Sequence, residues 1–215
     1  MAHSAASLWV LALFASGAAL AAPAGAVRPP QLDDSQPIQL DADSSDFDYK
    51  NSRLVFHGVR ISQGTLALEA DEGVATGLDF KDSQWLFTGH VRITVPDGAL
   101  QSDQAKLAFA ANLITSAEIT GSPASFEQKR NKAIARGRAT HIQYQPGAGT
   151  VRLTDDAWLS DGNNEISGQT LVYNLREQRV LANPEEQGSQ RIHITINPKK
   201  TEPKAEPKIE PKANP

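Results

Sequence analysis

Residues 51–61 read NSRLVFHGVRI, and this stretch decides the fold. On both sides of Gly58, apolar residues alternate with polar ones, which is the period of a β-strand with one buried face. The inward phase slips by one residue between Phe56 and Val59, across that glycine. A bulge that contains glycine re-aims a strand in this way. The stretch therefore predicts a strand that bends at Gly58 and keeps its apolar side chains on one face.

The same plan recurs three more times along the chain. The matching segments DSQWLFTGHVRI, TSAEITGSPASF and TVRLTDDAWL begin at Asp82, Thr115 and Thr150. After Gly58, the next corners fall 31, 32 and 34 residues apart, at Gly89, Gly121 and Asp155. Such a period is typical of arrays in which each unit stacks on its neighbour. The sequence predicts an all-β domain of about four repeats, with two facing sheets around a thin core or a groove.

Turn residues separate the alternating runs. The turns are Pro96-Asp97-Gly98, Pro146-Gly147 and Asp161-Gly162-Asn163. Residues of these types favour tight connections between strands. Residues 102–111 are rich in alanine and are the best candidate for a helix. Because Leu107 and Phe109 alternate with polar or small residues, we predict a strand there as well.

The two ends of the chain differ from its middle. Residues 8–20 form an apolar run of thirteen, followed by small residues with Ala-x-Ala spacing, and no Lys or Arg precedes the run. This layout predicts a cleavable signal peptide over residues 1–26, and hence secretion. Residues 198–215 form a Glu-Pro-Lys repeat, which predicts a disordered tail because so few apolar residues cannot offset the entropy of ordering. The folded domain is expected over residues 33–197.

The composition excludes several kinds of site. The chain has no cysteine, which excludes disulfides, thiolate metal sites and thiol catalysis. Its formal net charge of −4 is not the basic footprint of a nucleic-acid-binding protein. The five histidines are isolated in sequence, and the acidic residues 41–48 lack the central Gly and final Glu of a Ca²⁺ loop. No hydrolase, P-loop or dinucleotide-binding motif is present, so we predict no catalytic residue, no metal and no cofactor.

Two other classes of function stay open at this point. A secreted β-helix enzyme, such as a polysaccharide lyase, would place paired acids and basic residues on one face of successive turns, and no such column is visible in the sequence. A structural β-module without a ligand needs no site at all. Lipid extracted from the purified protein would support a carrier, and polysaccharide turnover would support the lyase. If neither were found, the structural module would be supported.

Six ordered blocks of the chain are similar to one known family. The blocks are QPIQLDADSSDFDY (36–49), LVFHGVRISQGTLALEAD (54–71), GSPASFEQ (121–128), ARGRATHIQY (135–144), VRLTDDAWLSDGNNEISGQTLVYN (151–174) and REQRVLA (176–182). Together they resemble the OstA-like family of periplasmic lipopolysaccharide-export proteins, over about residues 36–196. Residues 82–113 resemble a more complete turn of the repeat array than some members of the family contain.

The resemblance implies both a fold and a function. The fold would be an open, twisted β-jellyroll of two facing antiparallel sheets, V-shaped in section, with an apolar interior. The function would be to bind lipopolysaccharide in the periplasm, to shield its acyl chains, and to bridge inner- and outer-membrane export components for outer-membrane assembly. The implied partners are lipopolysaccharide, an inner-membrane LptC-type protein at one edge, an outer-membrane LptD-type protein at the other, and further copies of the chain.

The phase of the strands selects the candidate site residues. The candidates for the lipid-binding groove are the inward apolar residues Ile38, Leu40, Leu54, Phe56, Val59, Ile61, Leu66, Leu68, Phe87, Val91, Ile93, Leu153, Leu159 and Ile166. The candidate assembly edges are Pro37, Ile38, Gln39 and Leu40 at one end, and Ile192, His193, Ile194, Thr195 and Ile196 at the other. Exposed strand edges recruit further strands, so we predict head-to-tail assembly through these two segments.

Overall fold

The computed structural model describes residues 36–78, 82–111, 113–130, 133–174, 177, 179–184 and 191–197. The predicted signal peptide (1–26) and the predicted tail (198–215) lie outside the described residues. Every element of regular secondary structure among those residues is a β-strand, so the all-β prediction is confirmed. In this described part of the chain, no helix has the length and apolarity needed to cross a membrane.

Twelve strands form one antiparallel sheet. They are β1 (Gln39–Asp41), β2 (Ser44–Asp48), β3 (Arg53–Gln63), β4 (Leu66–Ala75), β5 (Gln84–Val95), β6 (Gly98–Ala110), β7 (Leu113–Arg130), β8 (Ala133–Gln145), β9 (Thr150–Ser160), β10 (Asn164–Asn174), β11 (Arg179–Ala182) and β12 (His193–Ile196). From β3 to β10 each strand pairs with the next one in the chain. Both β1 and β2 pair with β3, and both β11 and β12 pair with β10.

The four predicted repeats are four long hairpins, β3–β4, β5–β6, β7–β8 and β9–β10. The predicted turns connect β5 to β6, β8 to β9 and β9 to β10. Residues 102–111, for which a helix was the alternative, lie largely in β6 (Gly98–Ala110). Each long strand bends and passes through both predicted sheets, so the two facing sheets are two parts of a single folded sheet.

A line of bends crosses this sheet at the predicted corners. Gly58, Gly89 and Asp155 have left-handed backbones, with φ of 60°, 75° and 64°. At Gly121 the bend is a register shift between Thr120 and Ala124. A side chain at Gly58 would overlap the carboxylate of Asp43, between β1 and β2, and one at Gly89 would overlap that of Asp71 on β4. Glycine is therefore required at these two corners both for its positive φ and for space.

The bend divides the sheet into two arms. The first arm contains the parts of the long strands that lie between β2 and β11 in the sheet, and it includes residues 53–57 of β3. The second arm contains the parts that lie between β1 and β12, and it includes residues 60–62 of β3. The inner faces of the two arms enclose the core.

The core differs in character between the arms. In the first arm, Phe56, Trp85 and Phe87 stack in sequence, with ring centroids 6.0 and 5.6 Å apart. Burying each large apolar side chain contributes about 1.5–3 kcal/mol to stability. Small residues are fully buried in both arms: Ala105 in the first, and Ala124, Ala139 and Ala157 in the second. The stack of aromatic rings is therefore what distinguishes the core of the first arm.

Candidate functional site

An apolar opening lies between the two arms. It has a volume of about 100 Å³. Its lining comes from β3, β4 and β5 in the second arm, and from β5, β6 and β7 in the first. Ile61, Leu66 and Ile93 stand on one side, and Phe87 and Phe109 on the other. The opening therefore lies at the mouth of the folded sheet, away from the line of bends.

The chemistry of the opening suits an apolar ligand. None of the described residues that line it is charged. Among its polar residues, Gln63 is buried and uses its side-chain amide to donate a hydrogen bond to the carbonyl oxygen of Gln36, at 2.9 Å. A lining that is mostly apolar and uncharged holds a ligand chiefly by removing apolar surface from water.

The structure separates the predicted groove residues into two groups. One group lines the opening: Ile38, Ile61, Leu66, Leu68, Phe87 and Ile93. The other group packs in or against the core away from the opening: Leu40, Leu54, Phe56, Val59, Val91, Leu153, Leu159 and Ile166. All of them face the interior of the fold, as their phase predicts. Their contact with lipid stays a prediction.

Sequence reasoning missed four apolar residues of the opening. These are Val95, Leu107, Phe109 and Ile114. Leu107 and Phe109 were recognised as alternating, but their segment was ambiguous between helix and strand. Leu107 and Phe109 could have been found from their phase, because they lie two and four residues after Ala105, which is fully buried in the same strand.

The two predicted assembly segments lie at opposite edges of the second arm. Residues 39–40 are in β1 and residues 193–196 are in β12, and each of these strands pairs with a single strand among the described residues. The edges of the first arm, β2 and β11, were not predicted. Each end of the molecule therefore presents two edge strands.

The two ends also differ in charge. The β1–β2 end carries the acidic residues Asp41, Asp43, Asp46 and Asp48, whereas the β11–β12 end carries Arg191 and also Arg179, which pairs with Glu177 at 4.0 Å. Hydrogen bonds from the side chain and backbone of Asn51 lower the pKa of Asp48. Among the residues that the structure describes, no group of three or more His, Asp or Glu side chains could hold a metal ion.

Histidines beside the bend pair with acids on neighbouring strands. The pairs are His57 with Glu72, His90 with Asp71 and His141 with Asp155, at N···O distances of 3.6, 2.7 and 3.2 Å. The hydrogen bond with Asp71, and then the charge of that carboxylate, raise the pKa of His90. All these side chains are exposed on the outer surface.

Known proteins are similar to this chain over most of its length. The lipopolysaccharide export system protein LptA of Escherichia coli (strain K12) is 24% identical over 174 residues, which cover 80% of this chain and 77% of that protein. The lipopolysaccharide export system protein LptH of Pseudomonas aeruginosa is 28% identical over 177 residues, covering 78% and 83%. A crystal structure of LptH, described as the LptA-homologous periplasmic component of the lipopolysaccharide transport device of P. aeruginosa, matches with a TM-score of 0.48 and 23% identity, covering 76% of this chain and 97% of that one.

A family model covers the centre of the fold. The model described as "LptA/(LptD N-terminal domain) LPS transport protein" matches residues 72–179, which include all of β5 to β10. The match spans half of the chain and confirms the family resemblance that the sequence blocks indicate. The chain belongs to the LptA/(LptD N-terminal domain) family of lipopolysaccharide transport proteins.

Proposed function

We propose that this protein carries lipopolysaccharide through the periplasm by holding its acyl chains between the two arms of the folded sheet. The observation that carries the proposal is the uncharged, apolar lining of the opening, in a member of a lipopolysaccharide transport family. Each methylene removed from water contributes about 0.8 kcal/mol, so a twelve-carbon acyl chain exposed to water costs on the order of 10 kcal/mol. A lipid with several such chains needs a shielded route.

Membership of a transport family also bears on the alternatives. It confirms the prediction that the chain is not an enzyme, and it removes the polysaccharide lyase from consideration. Residues 1–26, as a signal peptide, would deliver the chain to the periplasm, the compartment named for LptH. Residues 198–215 would remain a disordered tail beyond the folded domain.

The size of the opening constrains how lipid enters. Its volume of about 100 Å³ is small beside the ~300–1,000 Å³ of a typical small-molecule site. Acyl chains therefore require the arms to separate at their mouth, where Ile93 and Leu66 face Phe109. The bends hold the other side of the arms together through continuous strands, so this separation needs no change in strand pairing.

Bridging would use the strands at both ends of the array. In the described part of the chain, β1, β2, β11 and β12 each have one paired side and one unpaired side. Unpaired edges add further strands through backbone hydrogen bonds. We infer that an LptC-type protein of the inner membrane joins one end and an LptD-type protein of the outer membrane the other, with further copies of the chain stacked head to tail between them.

Site-specific photo-crosslinking tests the lipid groove. A crosslinking amino acid at Ile93, which lines the opening, should capture lipopolysaccharide in cells, whereas one at the neighbouring Arg92, which is exposed on the outer face, should not. A second pair contrasts Ile61 with Arg60. Phe56 is a weaker position for this test because it is only 2% exposed and lies among core aromatic rings. Equal labelling at inner and outer positions would contradict the proposal.

A further inference from the structure

A second concavity lies on the outer surface of the second arm, on the opposite side of the sheet from the apolar opening. Its volume of about 440 Å³ falls within the ~300–1,000 Å³ of small-molecule sites. Polar side chains line this outer pocket: Arg138, Asp156, Trp158, Ser167, Gln169 and Arg191. The lipid groove uses none of them, so the outer pocket is a separate feature of the molecule.

Strand register builds the centre of the outer pocket. Arg138 on β8 pairs with Trp158 on β9, and Trp158 pairs with Ser167 on β10. Directly paired residues in a sheet point to the same face, so these three side chains form one row across three strands. The same row continues to β12, where His193 pairs with Ser167. The outer pocket is therefore fixed by sheet pairing rather than by a loop.

The bend in β9 supplies the acidic side of the outer pocket. Asp155 and Asp156 have consecutive left-handed backbones, with φ of 64° and 56°. Asp155 is engaged by the ring of His141 and by the side-chain amide of Gln169, while Asp156 lines the outer pocket. Gly89 and His90 have the same pair of positive φ angles in β5, 75° and 47°, so this conformation belongs to the line of bends and places Asp156 beside the outer pocket.

Two arginines flank the outer pocket, and neither forms an ion pair with a residue that the structure describes. The guanidinium carbon of Arg138 lies 5.0 Å from the centre of the Trp158 ring, an arrangement that holds the cation by its attraction to the aromatic face. The indole N–H of Trp158 donates to Glu165 at 3.3 Å and fixes the ring. Continuing the β10–β12 register by two residues places Arg191 opposite Gln169.

The chemistry of these groups defines a ligand class. A guanidinium group binds phosphate or carboxylate through two parallel hydrogen bonds. Asp156, Ser167 and Gln169 offer the acceptors and donors that pair with hydroxyl groups. A simple anion would be repelled by Asp156, and a neutral sugar would leave both arginines without a partner. We propose that the outer pocket binds an anionic saccharide, a sugar residue that carries a phosphate or carboxylate.

Nuclear magnetic resonance of the full-length chain tests this proposal. Glucose 1-phosphate is titrated into the ¹⁵N-labelled protein, and the indole N–H signal of Trp158, identified by its loss in Trp158→Phe, is followed. This signal should shift with saturation, while that of the buried Trp85 should not. The probe has no acyl chain, so its result does not depend on the lipid groove.

Matched variants distinguish the site from a general surface effect. Arg138→Gln and Arg191→Gln should each weaken glucose 1-phosphate about tenfold, the effect of losing one charge-assisted hydrogen-bonding group. Arg92→Gln, an exposed arginine on the outer face of β5, should leave the affinity unchanged. Unchanged melting temperatures would show that the variants fold. Absence of a Trp158 shift, equal binding by inorganic phosphate or by glucose, or full affinity in both pocket variants would overturn the proposal.

Discussion

The two ends of the folded sheet differ in how far the side chains on their inner faces are buried. At the β1–β2 end, Ile38 and Leu40 pack against the core, and the Phe47 ring lies 5.7 Å from that of Phe56 in an edge-to-face contact. At the β11–β12 end, Ile194 is 57% exposed and Ile196 is 75% exposed. Ile194 pairs with Ile166, whose side chain packs against the core, so the exposed isoleucine continues the apolar inner face beyond the last long strand.

This difference bears on how copies of the chain meet. A two-fold interface requires a surface that complements itself, whereas a head-to-tail interface joins two different surfaces and can extend indefinitely. One end of this molecule is acidic and has Ile38 and Leu40 packed against the core, whereas the other carries Arg191 and has a more exposed, uncovered inner face. The ends are suited to each other rather than to themselves. Stacking would also continue the apolar inner face from one copy to the next.

The largest effect is expected from a charge on the uncovered inner face. Ile194→Asp should prevent self-association, because a carboxylate buried in a strand-to-strand junction must be desolvated without a partner. Affinity should fall by at least about tenfold, which corresponds to 1.4 kcal/mol. Light scattering after size-exclusion chromatography, over a range of protein concentrations, measures the loss.

The control for this variant lies on the same strand. His193→Ser keeps the backbone edge of β12, through which a further strand would pair, and changes only a side chain on the opposite face, so it should leave the concentration dependence of the assembly as in the parent chain. The Ile194→Asp protein should also keep its melting temperature, since that side chain is mostly exposed. If Ile194→Asp assembled as well as His193→Ser, the uncovered inner face would have no role in the junction.

A smaller effect, on stability rather than assembly, is expected at the covered end. Phe47→Ala removes a ring that contacts Phe56, and a fully buried Phe→Ala change costs about 3–5 kcal/mol. Because Phe47 is 40% exposed, we expect the free energy of unfolding to fall by roughly 1–2 kcal/mol. Urea denaturation measures this change. Tyr49→Ala, at an 81% exposed position two residues away, is the control and should change stability much less; equal losses would contradict the comparison.

Much of this fold could be predicted because the sequence patterns that mark its strands and bends each span only a few residues. The slip of phase between Phe56 and Val59 marks a bend within a few residues, and a Gly or Asp corner recurs in each repeat. Pairing of two short strands with one long neighbour could not be predicted in this way. Within residues 39–48 only Leu40 and Phe47 are large inward apolar residues, too few to show from the sequence that the segment divides into β1 and β2 beside the bend of β3.

The candidate site could be predicted only in part. Alternation tells which residues face inward, but it does not tell how far the two arms lie apart at each position. Phe56 and Ile93 are both inward apolar residues, yet one is enclosed by stacked rings and the other lines the opening. The outer pocket was not anticipated, because its residues come together only through the register of β8, β9 and β10.

The smallest effect concerns the turn that holds β2 against β3. The Asp48 carboxylate accepts hydrogen bonds from the backbone N–H of Asn51 at 3.1 Å and from its side-chain amide at 2.6 Å, and the amide is the main cause of the lowered pKa of Asp48. A lowered pKa means that this contribution to stability is present above the ordinary aspartate pKa of about 4 and is lost as the pH falls through the folded-state value. Asn51→Ala should therefore raise the pKa of Asp48, as measured by a ¹³C titration of its carboxyl carbon. The carboxyl of Asp161, whose pKa is lowered by hydrogen bonds from Asn163 and Asn164 at a distant turn, should titrate unchanged in the same sample. An unaltered Asp48 titration in the variant would show that the Asn51 amide does not hold this carboxylate in solution.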